Sequence, residues 1–115
     1  MDPLLNPETI AALREMDEPG SNAFITEIIK AYLSDTEERM DALRACLTSR
    51  DAGGLAKAAH AIKGSSLNIG AERMGALMQL IEQQVKTGDT AVADSLDAAG
   101  IEFVALSSAL NALLH

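Results

Sequence analysis

The sequence predicts an all-α protein, an antiparallel four-helix bundle with a short additional N-terminal helix. Three observations carry this expectation. Aromatic residues make up only 3% of a chain that is 48% hydrophobic and rich in Ala and Leu, a composition that favours helices over sheets. Long stretches place apolar residues at steps of three and four, the period of a helix buried along one face. Gly- and Pro-containing breaks between these stretches are short, as antiparallel neighbours require. Residues 1–115 are therefore expected to form a single domain, large enough to hold a core without disulfides or metals.

Asn6-Pro7-Glu8 reads as an N-cap, a first-turn proline and a favourably placed acid. They open a short helix to about Glu15 that faces Ile10 and Leu13 inward, packs across one end of the bundle and is ended by Glu18-Pro19-Gly20. Ser21 is the expected cap of the next segment, which meets no Gly or Pro before Gly53. Its Ile25, Ile29, Leu33, Thr36, Met40, Leu43 and Leu47 keep one register, favouring a single helix of about 40 Å. Ser34-Asp35-Thr36-Glu37 is the competing reading, a capping box that starts a second helix there.

A third segment is expected to begin near Asp51 or Ala52 and to stop before Gly70. Its Leu55, Ala59, Ile62, Ser66 and Ile69 form one stripe. The fourth, from about Ala71 to Lys86, should bury Met74, Leu77, Met78, Ile81 and Val85, with methionine as core filler. Thr87-Gly88-Asp89 makes a turn and cap. The last helix then repeats its apolar positions through Val92, Leu96, Ala99, Phe103, Leu106, Leu110 and Leu113.

Composition also narrows function. With 17 acidic and 9 basic residues the net charge is −8, which disfavours sequence-independent nucleic-acid binding. No apolar run reaches the roughly 18 residues of a membrane span. Met1-Asp2-Pro3 lacks the positive start of a signal peptide. Cys46 is alone and cannot form an internal disulfide, so a reducing, cytoplasmic location is expected. A metal site is not expected, because the only histidines are His60 and His115 and neither follows a Glu at the spacing used by helical di-metal sites. No Gly-rich phosphate loop is present, so the chain should not use ATP itself.

His60 is the residue that packing leaves unexplained. By the helical rotation of about 100° per residue it lies roughly 150° from the centre of its helix's apolar stripe. Ala56 lies one turn behind, and Lys63 and Gly64 one turn ahead. A mid-helix glycine costs about 1 kcal/mol relative to alanine, which suggests that another surface approaches closely there. No acid occurs between Asp51 and Glu72, and Lys57, Lys63, Arg73 and Lys86 are assigned to this same region. A locally positive surface on an acidic protein suits a group that carries a phosphoryl.

The run His60-Ala61-Ile62-Lys63-Gly64-Ser65-Ser66, with Asn68-Ile69-Gly70-Ala71 and then Met74, Leu77 and Glu82, resembles the signature of histidine-containing phosphotransfer (HPt) domains. The match is continuous over about 25 residues, and length and periodicity extend the resemblance to the whole chain. One departure is Met78, where similar domains often carry a small residue; the position is one of packing. The resemblance implies a phosphohistidine relay with His60 as phosphoacceptor. It implies phosphoryl exchange with receiver-domain aspartates of a hybrid sensor kinase and a response regulator, whose magnesium ion belongs to the receiver.

On this reading Lys63 supplies charge to the phosphoryl, and Nε2 of His60 is the nucleophile with Nδ1 turned toward the bundle. Ser65 or Glu82 orients the ring, with Lys86 in support. Ala56, Lys57, Gly64 and Leu67 form the docking surface; Leu67, about 20° round the helix from His60, is the expected anchor. The protein is expected to be monomeric. Two alternatives stand beside this: a plain helical adaptor with an incidental histidine, and the phosphoacceptor module of a larger chemotaxis-type kinase. The chain's length and initial methionine favour an independent protein.

Overall fold

The computed structural model describes residues 4–114, so Met1-Asp2-Pro3 and His115 lie outside the described residues. Among the described residues five helices run in order: α1 Pro7–Glu15, α2 Ala23–Ser49, α3 Ala52–Asn68, α4 Glu72–Thr87 and α5 Val92–Ala112. Among the described residues there is no strand. Helix α3 packs between α2 and α4, and α5 closes the square against α4 and α2. The bundle is all-α, antiparallel and four-helix, with α1 as the short addition. No helix among the described residues is long and apolar enough to cross a membrane.

Helix α1 begins as its sequence dictates, with the Asn6 side chain accepting from the Glu8 amide at 2.9 Å. It is tied to the α3–α4 end of the bundle. The Asn6 amide donates to the Gly70 carbonyl at 2.8 Å, and Asn6 Nδ2 donates to Glu72 at 2.8 Å. Gly70 stands at φ +81°, and a Cβ there would lie 2.9 Å from that of Thr9. Both the left-handed backbone and the close approach of α1 require glycine.

Helix α2 is continuous over 27 residues, and Thr36, the middle of the alternative capping box, is fully buried in it. Its start corrects the sequence reading. Ser21 Oγ accepts only from Ala23, at 3.2 Å. The first-turn amides of Phe24 and Ile25 are instead taken by the Asp17 carboxylate, at 2.7 and 3.2 Å. An ionised carboxylate at a helix N-terminus meets both the unpaired amides and the helix dipole. The inward line also shifts: Tyr32 is buried, whereas Leu33 and Leu47 are half-buried.

In α3 the anticipated stripe of Leu55, Ala59, Ile62 and Ser66 is buried, with Ile69 just beyond the helix. Asp51 caps it by accepting from the Gly54 amide at 2.9 Å. In α4, Met74, Met78 and Ile81 are buried, while Leu77 and Val85 are half-buried. In α5, Phe103 is only half-buried, and Glu102 beside it is 7% exposed. Glu102 is tolerated inside because Arg73 of α4 reaches it at 2.9 Å, and a buried charge requires such a partner.

One buried polar contact fixes α2 against α3. The hydroxyls of Tyr32 and Ser66 are 2.7 Å apart. Burial raises the Tyr32 pKa, opposed by its hydrogen bond to Ser66, so the ring stays neutral. Tyr32→Phe should cost roughly 1–2 kcal/mol by orphaning a buried hydroxyl. Tyr32→Phe with Ser66→Ala should cost no more than the worse single change. Denaturant unfolding of the three variants measures this, and strictly additive losses would show that the two hydroxyls are energetically independent.

Candidate functional site

The side chain of His60 is 71% exposed, near the middle of α3. The core stripe runs along the other side of the same helix, so the ring is free of packing. It is nevertheless oriented. Nδ1 lies 3.3 Å from Glu82 Oε2 on α4. The other oxygen, Glu82 Oε1, is 2.9 Å from Lys63 Nζ, one turn after His60 on α3. One carboxylate therefore spans both groups, and its own side chain is only 25% exposed.

This arrangement fixes protonation. Burial of the Glu82 carboxyl opposes ionisation, but the Lys63 ammonium and the His60 ring beside it outweigh burial and hold the pKa below 4.5. An ionised carboxylate only accepts hydrogen bonds, so Nδ1 is the ring nitrogen that carries the proton. In the neutral imidazole the lone pair is then on Nε2. The arrangement leaves an exposed ring nitrogen directed away from the carboxylate, beside an ammonium group.

The other sequence-derived residues separate into those that join the site and those that do not. Ala56, Lys63, Glu82 and Lys86 line one groove of about 410 Å³ between α3 and α4, together with Gln79, Gln83 and Val85. Lys57 is exposed on α3. Gly64 is exposed, and a Cβ added to it would meet nothing within 4 Å. Ser65 does not reach the ring: its hydroxyl donates to the carbonyls of Ala61 and Ile62, each at 3.2 Å. Arg73 also leaves the site, since it turns to Glu102 on the α5 side.

Leu67 is 49% exposed and leans on α4. A Cβ added to Gly75 would lie 2.8 Å from Leu67 Cδ2. Gly75 is thus the residue that lets α4 pass close under α3, and sequence reading passed over it. Its signal was present: a glycine inside the otherwise well-formed helical run from Met74 to Ile81, where such a residue marks close approach.

With this geometry in place, the comparisons with known proteins decide the family. The sequence profile described as the Hpt domain matches residues 27–115. The chain belongs to the Hpt domain family. No curated protein sequence matches it. Two solved structures share its fold. Histidine-containing phosphotransfer protein B from Pseudomonas aeruginosa PAO1 is 24% identical, with a TM-score of 0.86, over 96% of this chain and 94% of that one. A rice protein described as a putative histidine-containing phosphotransfer protein is 18% identical, with a TM-score of 0.85, over 96% and 81% of the two chains. The chain is a histidine phosphotransfer protein of a phosphorelay. Hpt domains are phosphocarriers that engage receiver domains.

The lowered pKa of Glu82 makes its bridge pH-dependent. The stabilisation it gives is complete above the ordinary carboxyl value of 4.5 and is lost as pH falls through the lower folded value. Unfolding of the wild type and Glu82→Gln, compared from neutral pH down to about pH 3, should show a gap that closes on acidification. A gap unchanged with pH would mean that Glu82 contributes through packing alone.

Proposed function

We propose that His60 is the phosphoacceptor and that the protein relays a phosphoryl group between receiver aspartates of a hybrid sensor kinase and a response regulator. The observation that carries this reading is the exposed ring whose Nδ1 is held by Glu82 at 3.3 Å, leaving Nε2 free. Attack of the Nε2 lone pair on the phosphorus of an aspartyl phosphate forms the N–P bond. The O–P bond breaks and the aspartate leaves as a carboxylate. The Nδ1 proton stays on the ring, and the positive charge that develops there faces the Glu82 carboxylate. Reverse attack by an aspartate of the second receiver discharges the protein.

Phosphoryl transfer requires positioning and charge stabilisation more than covalent assistance. Lys63, held one turn from the ring, is the cation that the phosphoryl oxygens meet on the α4 side, with Lys86 nearby in the groove. The chain carries no phosphate-binding loop of its own, so ATP chemistry belongs to the kinase and magnesium to the receiver. In this role it acts as a cytoplasmic, monomeric carrier. Ala56, Lys57, Gly64 and Leu67 form the partner surface around the ring. A plain adaptor role would leave the oriented, exposed histidine without purpose.

Substitution tests the assignment. His60→Gln should abolish labelling by phosphoramidate and by a phosphorylated receiver, while stability stays within about ±0.5 kcal/mol, the usual surface effect. Phosphate retained on the Gln variant would move the acceptor elsewhere and sink the assignment. Gly64 tests the docking surface. Since a side chain there meets open space, Gly64→Gln should raise stability by up to about 1 kcal/mol. It should slow transfer from a receiver by roughly 100-fold, the scale of a displaced reacting pair, with phosphoramidate labelling intact. Parental receiver transfer in that variant would show that the glycine clears no docking surface.

A further inference from the structure

The register of α2 against α3 brings a second cation to the level of the histidine. Tyr32 and Cys46 of α2 both touch α3, near its two ends. Tyr32 hydrogen-bonds Ser66 at 2.7 Å. Cys46 Sγ lies 3.9 Å from Asp51 and would be 2.6 Å from a Cβ on Gly54. Arg39 is seven residues from each of them, a step that returns to within about 20° of the same line on a helix. It therefore faces α3. The level it reaches is set by the antiparallel register: midway between Tyr32 and Cys46 on α2 corresponds to midway between Ser66 and Gly54 on α3, which is His60.

The α3 residues on the α2 side of that level are Ala58 and Ala61, both half-buried. They are too small to block an arginine. Arg39 is itself half-buried, as expected of a long cationic side chain that lays its methylene stem along a seam of small residues and keeps its guanidinium at the edge. Among the described residues no carboxylate pairs with it. Asp35, one turn earlier on α2, is outside ion-pair distance. Lys63, by contrast, is already neutralised by Glu82 at 2.9 Å.

We propose that Arg39 is a phosphoryl-contacting residue, binding the terminal oxygens of phosphohistidine from the α2 side while Lys63 approaches from the α4 side. The proposal rests on His60 being the phosphoacceptor. A phosphoryl group brings a charge of about −1.5 to −2 and three acceptor oxygens, more than one partly neutralised ammonium satisfies. A guanidinium offers a planar pair of N–H donors that matches two of those oxygens. The contact speeds transfer in both directions only through the part of it that strengthens in the transition state, where the same oxygens carry the charge.

The decisive signal is that of the arginine itself. The protein labelled with ¹⁵N is phosphorylated with phosphoramidate, and the Arg39 Nε–H resonance is identified by its loss in Arg39→Lys. On phosphorylation that signal should move and its exchange with water should slow. Arg39→Met keeps an apolar stem and removes the charge. It should lower the maximal rate of transfer from a phosphorylated receiver about tenfold, the weight of one charge-assisted hydrogen bond, without changing half-saturation. Arg39→Lys should recover part of the loss. An Arg39 resonance indifferent to phosphorylation overturns the proposal, whatever happens to transfer. A raised half-saturation with unchanged maximal rate overturns it in favour of a docking contact. Label that persists in His60→Gln, or no label on the wild type from either donor, overturns the phosphoacceptor reading itself, and the proposal falls with it.

Discussion

A single carboxylate organises the chemistry of this domain. Glu82 reaches from α4 to both His60 Nδ1 and Lys63 Nζ on α3, at 3.3 and 2.9 Å. It decides which ring nitrogen carries the proton and where the lysine rests. Without it an exposed imidazole would exchange tautomers and rotate freely, and a relay that accepts and returns the same group would lose its preset geometry. In the proposed transfer the same negative charge faces the ring as it becomes positive, so one group would supply both orientation and electrostatic stabilisation.

The bundle holds that carboxylate at hydrogen-bond distance from an otherwise solvated ring. The approach of α4 to α3 depends on Gly75, whose missing side chain leaves room for Leu67. The level of α3 along α2 is set by the Tyr32–Ser66 contact near one end and by Cys46 against Gly54 near the other. The turn between α3 and α4 is braced by Asn6, which bonds Gly70 and Glu72. Apolar burial drives the collapse. These polar and steric contacts select the register at which His60, Lys63 and Glu82 meet.

Much of this was legible in the sequence because periodicity reports each helix separately. The stripe of Leu55, Ala59, Ile62 and Ser66 put His60 on the wet side, where the structure has it. Gly64 stood out as an unexplained helical glycine, and its surroundings are indeed open. What periodicity lacks is the register between helices. Ser65 and Glu82 were equal candidates to hold the ring until α4 was placed against α3; Glu82 is in reach and Ser65 bonds its own backbone. Arg73 was grouped with the basic residues near His60, but its partner is the buried Glu102 on α5, a long-range pair that no local pattern announces. Asp17 capping α2 from beyond the Pro19-Gly20 turn escaped for the same reason, whereas Ser21 was the nearer and more conventional choice.

By holding Nδ1, Glu82 leaves Nε2 of His60 as the nitrogen proposed to take the phosphoryl group. The most direct measurement is ¹⁵N–³¹P coupling in protein labelled with ¹⁵N-histidine and phosphorylated by an aspartyl-phosphorylated receiver. One phosphorus-coupled nitrogen is expected, Nε2 of His60, with Nδ1 still carrying a proton. Coupling to Nδ1, or a phosphorus resonance with no histidine nitrogen attached, would contradict it.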